Sequence, residues 1–276
     1  MSSGIADDRP PRIVIAPSAP EEATALARYL SVSPLVGRLL WNRGVRDRAT
    51  ATSFLTPRLS DLVPPDALPD MGLAAARVAK AVRSGEPIAV CGDYDVDGMT
   101  GTALLIRFLR LAGGTASYAI PDREADGYGL SGKTVERLAA QGVKLLITVD
   151  NGVGAVEPLE RAKALGVDAV VTDHHLPGPV LPPAIAIVDP HRTDRPGHAA
   201  SHLCGCGLAF KLAWGTSEVL QRARRDEKQK MFLLDAMGLV ALATVADVMP
   251  LTGENRVLVS AGLTALRASK SPGIRA

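Results

Sequence analysis

Cysteine is scarce in this sequence, with three residues in a chain of 276. An odd count of that size supports no disulfide framework and points to a reducing cytoplasm. An excess of charge of either sign is also missing: 31 basic residues stand against 29 acidic ones, a formal net charge of +2. That excludes a global polycation, so any contact with a polyanion must be local. No apolar run reaches the roughly 18 residues of a membrane span. The opening MSSGIADDRPPR has no signal-peptide core, so the expectation is a soluble, cytoplasmic chain with no membrane partner. There is no internal repeat and no low-complexity tract. No Gly-x-Gly-x-x-Gly opens a helix, which excludes a dinucleotide-binding oxidoreductase.

What remains is a chain with 47% hydrophobic residues, enough for a large core in one big domain or two. Residues 1–12 are polar and contain proline, and are expected to be disordered. From PEEATALARYL to RDRATATSFLTPRL, short helical segments are broken by Ser-Pro and Thr-Pro, and the proline-rich VPPDALPD ends them. Residues 1–70 therefore read as a disordered start and a small helical lead-in, and residues 71–276 as the main domain. In the main domain the apolar runs PIAVCGDY, ASYAI, KLLITVD, DAVVTDHH and AIAIVDP alternate with helical segments such as TGTALLIRFLRLAG and VEPLERAKALG. That rhythm predicts an α/β fold, a doubly wound and mostly parallel sheet covered on both faces, with a helical C-terminal part. The charged stretch QRARRDEKQK, residues 221–230, reads as a solvated helix face or loop rather than a phosphate-binding patch.

The acidic residues fall at particular places. VCGDYDVDGMTG puts Asp93, Asp95 and Asp97 within five positions, directly after one predicted strand. If that segment stays extended, alternate positions point the same way and the three carboxylates converge. Asp150 ends a second strand in TVDNG, and Asp173, His174 and His175 end a third in VTDHH. In parallel sheets ligands bind beyond the carboxyl ends of the strands. One such residue is most often a helix cap or a turn former, but three strands ending this way make one acidic rim. Gathered carboxylates need a cation. Aspartate and histidine without thiolate suit manganese or magnesium better than structural zinc. Two such ions about 4 Å apart can activate a water against a phosphodiester, and they need one carboxylate to bridge them. Asp150, alone on a tight turn, offers that. The adjacent pair His174 and His175 allows one imidazole to ligate metal while the other contacts a phosphate.

Taken in order, GDYDVDGMTGTALL, IPDREADGYGLS, TVDNG, VTDHH and ATVADVMPLTGENRVLV resemble the DHH phosphoesterase superfamily. Within it they are most similar to the bacterial single-strand-specific 5′→3′ DNA exonucleases. The likeness runs from about residue 12 to the end. It implies that 71–276 is the DHH catalytic domain of a metal-dependent phosphodiesterase in DNA repair and recombination, using two Mn²⁺ or Mg²⁺ ions. It further implies that Asp93, Asp95 and Asp97 form the first motif, that Asp150 bridges the ions, and that His174 and Asp247 complete the second ion's ligands. His175 would contact the scissile phosphate, and Asp93, Asp150 and His175 would carry the catalysis. Asp173 would orient a histidine or the turn. Asp247 follows from the resemblance alone, because a lone aspartate in TVADVMP otherwise reads as a cap.

In PDREADGYGL, Arg123 could grip a phosphate and Tyr128 could stack on a base. A glycine-rich loop with a surface arginine is the other reading, and the resemblance favours the substrate-facing one. Cys204 and Cys206, near His198 and His202, are spaced too closely for the usual paired zinc ligands and read as buried structural residues. The implied partners are single-stranded DNA, a single-strand-binding protein and a helicase, with the chain a monomer. Chains of this kind continue into a DHH-associated domain and an oligonucleotide-binding fold, so the expectation is the N-terminal portion of such a protein. Two alternatives stay open: a nanoRNase or nucleotide phosphatase of the same superfamily, and a non-catalytic scaffold.

Overall fold

The computed structural model describes residues 21–121, 129–194, 202–221 and 226–275. The stretch 1–12 expected to be disordered, the substrate candidates Arg123 and Tyr128, His198 and the arginines at 222–225 lie outside the described residues. The chain divides into two compact units, one ending at Thr56 and the other beginning at Pro57.

Among the described residues the first unit is built from three short helices, α1 (Glu21–Tyr29), α2 (Pro34–Asn42) and α3 (Arg48–Leu55). Here Ser-Pro is a start signal. The Ser33 side chain accepts from the Val36 N–H, and Pro34 occupies a first-turn position where its missing N–H is not needed. Asp47 caps α3 through the Thr50 N–H at 2.9 Å. Leu26, Leu40, Val45 and Ala51 make the small core of this unit.

In the second unit the apolar runs become five parallel strands: β1 (Ile88–Gly92), β2 (Ala116–Ala119), β3 (Leu145–Val149), β4 (Asp168–Thr172) and β5 (Ala186–Val188), in the order β2-β1-β3-β4-β5. All neighbours pair in parallel. The strand order reverses between β1 and β3, and the carboxyl ends flanking that point are where such a sheet takes a ligand. Side chains alternate across the sheet. Ile88, Val90, Leu145, Ile147, Val149, Val170 and Val188 enter the larger core with Leu104 and Phe108, while Ala89, Cys91, Leu146, Val171 and Ile187 enter the smaller one with Leu159. The larger layer holds α4 (Met71–Ser84), α5 (Val96–Leu111), α8 (Gly205–Gln221), α9 (Glu227–Ala246) and α10 (Gly253–Ala268); the other holds α6 (Gly132–Ala140) and α7 (Val156–Ala164). A last short helix, α11, spans Pro272–Arg275. The sheet is therefore doubly wound, and both faces are buried.

By length and composition alone α9 could cross a membrane, but half of that stretch is buried inside the protein, with Val240 and Ala243 in the larger core. The segment after Pro57 packs with this unit as well. Leu62, Val63 and Leu68 lie against the larger core, and the Val63 carbonyl accepts from Lys211.

Lys211 is fully buried in α8 and pairs with Glu254 of α10 at 2.5 Å. Burial pulls its pKa down, although the Glu254 carboxylate works to raise it. Removing one partner of a buried pair strands the other charge and costs about 3–5 kcal/mol. Urea unfolding should show a loss of that size for Glu254→Ala. Adding Lys211→Met to the same chain should recover a substantial part of it. A double variant no more stable than Glu254→Ala would show that the stranded ammonium is not the source of the loss.

Candidate metal centre

The first acidic motif is not an extended strand. β1 stops at Gly92, Asp95 is the N-cap of α5, and Asp97 lies in that helix's first turn. The chain turns from strand to helix because the Asp95 carboxylate accepts from the Gly98 N–H at 2.9 Å. The three carboxylates consequently diverge, contrary to the extended reading. Asp93 and Asp95 group with Asp150, while Asp97 groups with His174 and Asp247. Asp97 is 1% exposed, and its two oxygens accept from the Gly205 and Cys206 N–H groups at 2.6 and 2.7 Å. Those amides open α8, whose N-terminal partial charge favours an anion.

Asp150 follows β3 with φ of +62°, a left-handed conformation that aspartate tolerates better than most residues. Its N–H donates to the Thr172 carbonyl at 3.0 Å, continuing the ladder past the strand. Asn151 then donates its side-chain amide to the Val149 and Cys91 carbonyls, at 2.9 and 3.2 Å, joining β3 to β1 at the point where the strand order reverses. Gly205 faces Asp150 so closely that a Cβ there would lie 2.5 Å from the Asp150 Cβ. The start of α8 can reach the turn only as glycine.

From β4, Asp173 is 1% exposed and serves the two histidines after it. Its Oδ1 accepts from the His174 and His175 N–H groups and lies 2.7 Å from His175 Nδ1, and its Oδ2 accepts from the Val153 N–H. Burial works against ionisation, but His175 and these amides outweigh it and hold Asp173 below the usual carboxylate range. In return, the Asp173 hydrogen bond pushes His175 up to about 9. His175 is thus an imidazolium near neutral pH, with its side chain half exposed.

His174 points Nε2 into a ring of carboxylates: Asp150 Oδ1 at 3.0 Å, Asp97 Oδ2 at 3.7 Å and Asp247 Oδ2 at 3.7 Å. Burial lowers its pKa, yet these carboxylates raise it overall. Burial also lifts Asp93 and Asp247, and it drives Asp150 to about 7. Three sets of donor atoms lie within 4.8 Å of one another: Asp93, Asp95 and Asp150; Asp97, His174 and Asp247; and Asp150, His174 and His175. Asp150 is shared. Two oxygens in these sets, Asp93 Oδ1 and Asp247 Oδ2, are buried with no hydrogen-bond partner among the described residues. All-oxygen and imidazole donors with unpartnered oxygens fit hard divalent ions.

Every described candidate from the sequence stands at this rim. Asp189, directly after β5, is one more aspartate that follows a strand. It is fully buried, and burial puts its pKa at about 7. The roles of Gly205 and Cys206 were hidden because they act through backbone amides. Cys204 and Cys206 are fully buried, burial pushes both thiols up, and they join none of the donor sets found among the described residues.

The model for the family described as DHH family, N-terminal domain, matches residues 87–244. The single-stranded-DNA-specific exonuclease RecJ of Bacillus subtilis (strain 168) is 37% identical over 257 residues, 92% of this chain and 31% of that protein. The protein of the same name from Escherichia coli (strain K12) is 39% identical over 248 residues, 88% of this chain and 42% of that protein. The crystal structure of RecJ in complex with Mn²⁺ from Thermus thermophilus matches with a TM-score of 0.75 at 33% identity, over 92% of this chain and 35% of that one. The chain spans less than half the length of each of these relatives.

The pKa shifts give the metal-free protein a defined pH dependence. A carboxyl raised by folding, as Asp150 and Asp189 are to about 7, contributes stability that is complete below the unfolded value and lost as pH rises through the folded one. His175, raised to about 9, extends the loss upward. Without metal, the melting temperature should therefore fall between about pH 4 and about pH 9. Mn²⁺ should raise it by an amount that grows through pH 7, since the ion displaces protons and binds only the folded state. Thermal melts with Mn²⁺ and with EDTA check this. No shift at millimolar Mn²⁺ would remove the metal reading.

Proposed function

The chain belongs to the DHH family, and we propose that its rim is the two-metal active site of a phosphodiesterase that removes nucleotides from the 5′ end of single-stranded DNA. The observation that carries this reading is the place of Asp150, which groups with Asp93 and Asp95 and lies 3.0 Å from His174 of the neighbouring Asp97, His174 and Asp247 set, in a chain whose relatives are named single-stranded-DNA-specific exonucleases. Mn²⁺ or Mg²⁺ bound there would supply the positive charge that acidifies an attacking water and offsets charge gathering on the phosphate.

In this reading residues 71–276 form the catalytic domain. Asp93 and Asp95 hold one ion, Asp97, His174 and Asp247 hold the other, and Asp150 belongs to both. His175, cationic through its bond to Asp173, contacts the scissile phosphate. Its Nδ1 lies against Asp173, and the imidazolium carries a second N–H, at Nε2, of the kind that donates to a phosphate oxygen. Arg123 and Tyr128 extend the grip to the adjacent phosphate and base. The work belongs to DNA repair and recombination in the cytoplasm, by a monomer that meets a single-strand-binding protein and a helicase.

Two substitutions separate the roles. Asp150→Ala should abolish both hydrolysis and tight Mn²⁺ binding, because it removes the shared carboxylate. His175→Ala should keep the ions and slow turnover by about 10²-fold or more, as expected when a contact made to transition-state charge is lost. The assay follows nucleotide release from a 5′-labelled single strand, a matching duplex and a dinucleotide, alongside Mn²⁺ titration. Loss of metal in the His175 variant would reverse the assignment. Hydrolysis confined to the dinucleotide would move the reading to a nanoRNase.

A further inference from the structure

Most of the donors stand directly after strands, where the sheet fixes them. Asp247 does not. It caps α9 at the C-terminal end, and Val248 follows with φ of +55°, an uncommon conformation for a β-branched residue. The chain then crosses Met249 to Leu251 before Thr252 caps α10. The helix end itself is closed by backbone bonds, Val248 N–H to the Val245 carbonyl at 3.2 Å and Met249 N–H to the Thr244 carbonyl at 3.0 Å, so what remains to be set is the course of the segment that leaves it.

Asn255, in the first turn of α10, is 2% exposed, and its side-chain amide donates to two carbonyls. One is Pro250, at 3.1 Å, in the segment leaving Asp247; the other is His202, in the segment entering α8. Both neighbours are acceptors, so the group facing them must be the NH₂, and both of its protons are used. The segment after His202 supplies the Gly205 and Cys206 amides that hold Asp97. A single planar amide thus ties together the segments that place Asp97 and Asp247, which flank His174 in one donor set. Asn255 itself has a rigid base, because the residue before it, Glu254, is anchored to Lys211 of α8.

Resting on the reading of that set as an ion site, we propose that Asn255 is a positioning residue for the ion held by Asp97, His174 and Asp247. It sets the separation of two ligands without touching the ion. The set of Asp93, Asp95 and Asp150 is held mainly elsewhere: Asp95 by its own helix, and Asp150 by Thr172 and the β3 turn, with Gly205 only packing against that turn. Without the amide, the Pro250 and His202 carbonyls lose the donor they share, and the segments that place Asp97 and Asp247 are no longer tied to each other.

The test is Mn²⁺ titration by calorimetry on the wild-type chain, Asn255→Asp, Asn255→Ala, Asp247→Ala and Leu258→Ala. Asn255→Asp keeps the shape and removes both donors. Asp247→Ala identifies the signal of the ion in question. Leu258→Ala removes a fully buried side chain from the same helix and controls for general loosening. The wild type should take up two ions. Both Asn255 variants should hold one ion at wild-type affinity and weaken the ion lost in Asp247→Ala by about 10–100-fold, the usual effect of removing a group that orients a ligand. Leu258→Ala should lower the melting temperature and leave both affinities in place. Equal weakening of both ions, no weakening, or Asn255 variants that fail to fold with Mn²⁺ present would each overturn the proposal. A wild-type chain that binds no Mn²⁺ would overturn the two-metal function itself.

Discussion

Mutual repulsion among the carboxylates at the strand ends is the constraint that the rest of this unit serves. Two like charges about 4 Å apart repel by about 4 kcal/mol at an effective dielectric of about 20, and this rim gathers six aspartates around two histidines. The structure answers each charge differently. Asp97 is capped by the amides that open α8, Asp95 by the first turn of α5, and Asp173 by three backbone N–H groups and His175. Asp150 is shifted by burial to about 7, against the pull of the His174 imidazole beside it. What the backbone leaves unanswered is one oxygen each of Asp93 and Asp247, both buried. Those are positions suited to a cation.

The helical layer follows from that requirement. α8 has to bring its N-terminus against Asp97 and Asp150 together, and it does so through Gly205, where any side chain would strike the Asp150 turn. The larger core beneath, with Phe108, Phe210 and Leu104 fully or almost fully buried, fixes α5 and α8 against β1 and β3. A burial pattern that looks like plain packing therefore also sets the spacing of charged groups at the rim.

Much of this was legible in the sequence because two periodicities carried it. Alternating strands and helices gave the parallel sheet, and a parallel sheet places whatever follows its strands on one edge, so Asp150, Asp173, His174 and His175 came together without further information. Asp247 stands outside that logic: it sits at a helix end, and only the likeness to a known family pointed to it. The condition for Asp93, Asp95 and Asp97 to converge, an extended segment, is not met, because the residues after Gly92 cap and begin α5. Backbone donors such as Gly205 and Cys206 leave no side-chain signature, and Asn255 looks like any polar residue in a helix's first turn. Partners that act through N–H groups or carbonyls become visible only once the segments are in place.

This difference in legibility matches a difference in mechanics. Ligands after β1, β3 and β4 inherit the rigidity of a sheet whose ladder continues past the strands, through the Asp150 and Asp173 N–H groups to Thr172 and Val188. Asp247 stands at a helix end that the Val248 and Met249 N–H groups close, and the segment beyond it is tied to α10 through Asn255. The two groups of donors are therefore unequal in their support. Asp93, Asp95 and Asp150 follow strands or open a helix, while Asp247 stands at a helix end whose onward segment is tied through the Asn255 amide. Asp150 lies between the two groups, 3.0 Å from His174, and its own turn is pinned between Asn151, Thr172 and Gly205.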